Sequence, residues 1–94
     1  MASVYILYSK ELNKYYIGSC LVLDERLVQH QNKTFSNSFT SKASDWTLFY
    51  SISDLNYTQA RAIESHIKKM KSRAYIENLK RFSEISQKLT EKYS

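Results

Sequence analysis

Glycine and proline are almost missing from this chain. There is no proline, and Gly18 is the single glycine in 94 residues, where average composition supplies roughly six or seven. A chain that otherwise avoids glycine keeps one where a side chain is not tolerated, through backbone angle or through crowding. Cysteine is equally scarce. Cys20 alone excludes an internal disulfide framework and fits a reducing compartment. The longest apolar stretch near the start, residues 4–8, is far too short for a signal peptide or a membrane span, so a cytoplasmic location away from membranes is expected. Also missing are a Gly-rich phosphate loop, paired Cys/His metal spacing and an acidic cluster able to hold two metal ions. The two histidines, His30 and His66, stand far apart in the sequence. These absences exclude most standard enzyme chemistries.

What is present describes one small folded domain spanning 1–94. Its hydrophobic fraction of 43% and charged fraction of 24% are those of an ordinary globular protein with a modest core, not of a disordered chain. Tyrosine is abundant, at eight residues. The net charge of +5 is unevenly placed. Residues 1–60 carry five basic and five acidic side chains, whereas residues 61–94 carry nine basic and four acidic ones. An excess concentrated in one segment suits a polyanionic partner, because lysine and arginine near phosphates release counterions; a solvated helical face is the plainer reading.

Val4-Tyr5-Ile6-Leu7-Tyr8 is rich in β-branched and aromatic residues and reads as a strand. A polar turn over residues 10–14 leads to a second strand, Tyr15 to Ser19, and the pair is expected to form an antiparallel hairpin. Residues 24–30 read as a short helix, residues 32–45 as a loop, and residues 46–52 as a third strand. From Thr58, an expected N-cap, the pattern becomes helical: Ala60, Ile63, Ile67 and Met70 recur at helix spacing. After an interruption at residues 71–73 a second amphipathic run extends from Ile76 to Leu89, with a break expected near Ser83. The fold class is therefore α+β, a three-stranded antiparallel sheet flanked by helices in the order ββαβαα, with a helical extension over about 80–94.

Several polar residues stand out, and each has an ordinary reading when taken alone. Tyr5 and Tyr16 lie in adjacent strands and would come near each other in the hairpin, yet tyrosine is also simply a good strand residue. Arg26 and His30, four apart, share a helical face and suit phosphate binding and proton movement; both are equally at home in solvent. Glu64 falls at the border of the apolar stripe of its helix, where a carboxylate is either a surface group or a partly buried metal ligand.

Their joint spacing says more. Tyr5 in Ser3-Val4-Tyr5, then Tyr16-Ile17-Gly18, Arg26, His30 and Glu64, with Ile67 to Arg73 following, resembles the GIY-YIG nuclease family. The likeness runs over residues 4–79 and is greatest to short stand-alone bacterial members related to the excision-repair endonuclease domain. Ser3 and Val4 stand where the family name has glycine and isoleucine, and Asn78 is the candidate for an asparagine found late in several members. The resemblance implies a DNA endonuclease, with a role in DNA repair, using one divalent ion, Mg2+ or Mn2+. In that scheme Glu64 is the sole protein ligand of the metal and Arg26 holds the scissile phosphate. Tyr5 is the general base, and Tyr16 and His30 orient phosphate or water. An unperturbed phenol ionises near pH 10, so that base needs help from a cation. Lys68, Lys69, Lys71 and Arg73 are the expected contacts to the DNA backbone. Specificity would come from a protein partner, a second copy of the chain or DNA shape. The alternatives are a non-cleaving nucleic-acid-binding module on the same fold and an interaction domain for an acidic protein.

Overall fold

The computed structural model describes residues 1–25, 27 and 45–94. The expected helix over 24–30 and loop over 32–45 lie mostly outside them, and so do Arg26 and His30; positions 23–25 and 27 are helical. Beside that helical stretch, which falls between the second and third strands, the described residues form three strands, β1 (Ala2–Ser9), β2 (Lys14–Cys20) and β3 (Thr47–Leu55), followed by helices α1 (Tyr57–Met70), α2 (Arg73–Arg81) and α3 (Ser83–Lys92). The sheet is antiparallel throughout with order β2-β1-β3, so the α+β class and the hairpin read from the sequence are both present.

β1 is central and is buried along almost its whole length, because both faces of the sheet are covered. Its side chains alternate between the faces, as the period of a strand requires. Ala2, Val4 and Ile6 join Ile52, Leu55, Ala60, Ile63, Ile67, Ile76, Leu79 and Leu89 beneath the helices. Tyr5 and Leu7 point the other way, into a second cluster with Cys20 and Trp46. Leu23 and Leu27, partly buried, pack against that second cluster.

Helix α1 begins two residues earlier than expected. Asn56, not Thr58, is the N-cap. Its side chain accepts from the Gln59 N–H at 2.7 Å while Gln59 Oε1 accepts from the Asn56 N–H at 3.2 Å, a reciprocal capping box that Thr58 has no partner to match and that is worth about 1 kcal/mol. Ile63 and Ile67, fully buried, fix the rotation of α1, each contributing roughly 1.5–3 kcal/mol by leaving water. The run from Ile76 to Leu89 is broken into two helices, one residue before the interruption expected near Ser83. Phe82 is extended (φ −124°, ψ 100°), ending α2 and capping α3. That break turns α3 back onto the sheet, where Tyr50 and Ser86 hydroxyls meet at 2.6 Å and Gln59 Nε2 donates to the Thr90 carbonyl at 2.8 Å.

Candidate active site

The one glycine explains itself in space. Its φ is not positive, so backbone angle is not the reason for it. A Cβ on Gly18 would lie 2.5 Å from the Tyr5 hydroxyl and 2.6 Å from Cζ. Tyr5 and Gly18 are register partners across β1 and β2, and the phenol of Tyr5 lies over the bare backbone. Crowding by Tyr5 is what excludes a side chain here.

Tyr16 is diagonal to Tyr5, since it pairs with Leu7, and the two rings stand 6.3 Å apart at a tilt of 37°. Trp46, buried at the foot of β3, meets Tyr16 edge-on at 6.4 Å. The hairpin thus brings the two expected tyrosines together and braces them with an indole. Tyr5 itself is only 1% exposed. Ser3, in the place of the family glycine, has an ordinary extended backbone and donates to the Ser53 hydroxyl at 3.4 Å.

Glu64 approaches β2 from the other face. Its position at the border of the apolar stripe leaves its side chain 19% exposed. Oε1 accepts from the Ser19 hydroxyl at 2.5 Å, and Oε2 is paired with the Lys68 ammonium at 2.6 Å. Ser19 follows Gly18 directly, so Tyr5 and Glu64 touch consecutive residues of an edge strand, about 3.8 Å apart along the backbone, from opposite sides of the sheet.

Beside Glu64 runs an open groove of about 420 Å³ lined by Arg61, Glu64, Ser65, Lys68, Lys69 and Lys71. Its four basic side chains surround one carboxylate, a field that draws in anions. Three of the four expected DNA-contacting residues are there. Arg73 is not; it donates to Asn13 Oδ1 at 2.9 Å and stacks over Tyr15 at 5.4 Å, bracing the hairpin turn. Tyr15 faces the helices, and burial, followed by the nearby Glu77 carboxylate, pushes its phenol above the usual range. Asn78 is half-buried on α2, and its carbonyl accepts from the Phe82 N–H at 2.7 Å.

Ser19, Trp46 and Arg61 were not singled out from the sequence. Alternation offered a signal for Ser19: it shares parity with Tyr15 and Ile17, which face the helices. Arg61 lies one turn before Glu64 on the same groove, a spacing that was available. Trp46 gave no signal, since its contact with Tyr16 depends on strand order.

A three-stranded antiparallel sheet with a paired-tyrosine hairpin, one crowded glycine and a helical glutamate beside a basic groove defines a nuclease-type domain. The GIY-YIG catalytic domain profile matches residues 1–80, and the chain belongs to the GIY-YIG family. No curated protein matches it, and no solved structure does. The family is one of divalent-metal-dependent nucleases acting on DNA.

Proposed function

We propose that the domain is an endonuclease that hydrolyses DNA phosphodiester bonds with one divalent ion held by Glu64. The observation that carries this is the convergence of Tyr5 and Glu64 on Gly18-Ser19, beside a groove of four cations. The donor set suits a lightly held ion. Glu64 already has a cation at Oε2 in the form of Lys68, and no group of three or more ligating side chains occurs among the described residues. Magnesium fits such a site because it keeps several waters and needs few carboxylates. When bound, the ion would stabilise negative charge developing on the leaving oxygen.

The chain's own residues supply the rest. Arg26 neutralises the scissile phosphate as charge builds. Tyr5, having first lost its own hydroxyl proton to solvent, accepts the proton of the attacking water as the phenolate, and its ring, packed against Gly18 and Tyr16, holds the oxygen in one place. Tyr16 and His30 orient phosphate or water. Lys68, Lys69 and Lys71, joined by Arg61, position the DNA backbone without reading sequence. Target choice falls to DNA shape, a protein partner or a second copy of the chain. A cytoplasmic role in DNA repair is the reading we adopt, and a reducing compartment suits a chain whose single cysteine, Cys20, is buried; no helix among the described residues is long and apolar enough to cross a membrane.

The burial of Tyr5 and the ion pair on Glu64 favour a second reading, a module that binds DNA without cutting it. Plasmid nicking with and without Mg2+, alongside salt-dependent DNA binding, separates the two. For the nuclease, Glu64→Gln abolishes nicking with binding retained, and Tyr5→Phe slows it roughly a hundredfold or more, the usual scale of general-base catalysis. Wild-type protein that binds DNA in a salt-dependent way yet nicks nothing at any Mg2+ concentration establishes the module instead.

A further inference from the structure

The two oxygens of Glu64 are held in different ways. Oε1 takes a neutral hydroxyl from Ser19, a half-buried strand residue whose place is set by the sheet. Oε2 takes the Lys68 ammonium across one helical turn, and Lys68 is 53% exposed. Its four-carbon stem is flexible and its charge compact, so the first contact is fixed and the second exchangeable. Lys68 also lines the groove that holds Arg61, Lys69 and Lys71.

An ammonium at 2.6 Å from a carboxylate oxygen occupies the seat that a divalent cation needs. Two cations cannot share that seat, because like charges at contact distance repel. Metal uptake at Oε2 therefore competes with Lys68, and Lys68 gives way at least cost when another anion receives it. A phosphodiester in the groove is such an anion.

We infer that Lys68 is a positioning residue that makes metal binding at Glu64 conditional on bound DNA: it covers Oε2 in the free protein and moves to a backbone phosphate when DNA enters. The inference rests on the reading of Glu64 as the metal ligand. By linkage the coupling is reciprocal, so a divalent ion at Glu64 frees Lys68 for phosphate and tightens DNA binding. The effect is modest, roughly two- to fivefold in metal affinity, since an ion pair whose lysine is 53% exposed is weak.

The test is Mn2+ binding to the full chain, followed by isothermal titration and by the electron paramagnetic resonance signal of free Mn2+, with and without a short DNA duplex. Lys68→Gln should bind Mn2+ roughly two- to fivefold more tightly than wild type in the absence of DNA, the strength of the pair it removes. Lys69→Gln removes the same charge from the same groove without touching the pair and should change affinity less. Adding DNA should tighten Mn2+ binding more in wild type than in Lys68→Gln. Equal or weaker binding by Lys68→Gln, or a Lys69→Gln effect as large, overturns the role of Lys68 while leaving Glu64 as the ligand. Unchanged Mn2+ binding in Glu64→Gln overturns the ligand assignment itself, and the Lys68 inference with it.

Discussion

Replacing Gly18 with alanine sets two effects of known size against each other. Gly18 has no positive φ, so alanine there restricts the unfolded chain and by itself stabilises by about 0.4–1 kcal/mol. Against this, the new methyl would sit 2.5 Å from the Tyr5 hydroxyl and 2.6 Å from Cζ. Tyr5 is 1% exposed and flanked by Tyr16, so the ring has little room to withdraw. Overpacking of this kind costs about 1–3 kcal/mol, and with two atoms in collision the clash outweighs the entropy gain. The net expectation is a loss of about 1–2 kcal/mol, with a fall in Tm of roughly 5–15 °C for a domain of this size. Denaturant unfolding of Gly18→Ala, Tyr5→Phe and the double variant measures it. Phenylalanine removes the nearest atom and leaves the ring carbon, so the cycle should show partial relief, a coupling of roughly 0.5–1 kcal/mol. A Gly18→Ala protein at least as stable as wild type, with no coupling to position 5, refutes the packing of Tyr5 on Gly18.

Two further outcomes follow. Ser19→Ala removes the hydroxyl from Glu64 Oε1 and should raise the Mg2+ concentration for half-maximal nicking roughly tenfold or more, the usual effect of losing a partner of a metal ligand; Ser19→Thr, which keeps the hydroxyl, should recover most of it, and a wild-type Mg2+ dependence in Ser19→Ala would show that Glu64 needs no such support. The Asp45 carboxyl is held below its ordinary range by the Ser9 hydroxyl first, then by the Glu11 N–H. A lowered folded-state value adds stability that is full above the ordinary carboxylate pKa of about 4 and is lost as pH falls through the lowered value. The gap in Tm between wild type and Asp45→Asn should therefore be constant near neutrality and close in strong acid, and a gap that widens on acidification contradicts the assignment.

Strands and hairpin were legible because their signals are local: β1 and β2 each carry consecutive β-branched or aromatic residues around one polar turn. The boundaries were less so. Asn56 outcompetes Thr58 because a cap is decided by which side chain finds a reciprocal partner, and Gln59 lies at the right distance only from Asn56. The break at Phe82 was half visible as an expected interruption near Ser83, but the seating of α3 depends on Tyr50 and Gln59, far away in sequence. Tyr5, Tyr16 and Glu64 were singled out through their joint spacing, and the hairpin brings the two tyrosine rings to 6.3 Å of each other. Ser19 was passed over because a serine in a strand has no character until the helix above it is placed. Arg73 shared a basic run with Lys68, Lys69 and Lys71, yet the start of α2 turns it toward Asn13; charge in a sequence gives no direction.

The arrangement also sets β2 apart from β1. On the central strand β1, a polar group on either face is covered, as the burial of Tyr5 shows. An edge strand has one side without a neighbour, a liability in most sheets. On β2, groups from the two faces of the sheet meet consecutive residues: Tyr5 lies against Gly18 and Glu64 accepts from Ser19. A side chain at position 18 would meet the Tyr5 hydroxyl and ring, and that crowding is what requires the glycine. Packing places that demand on one position, and in a chain that otherwise dispenses with glycine that position is where it is kept.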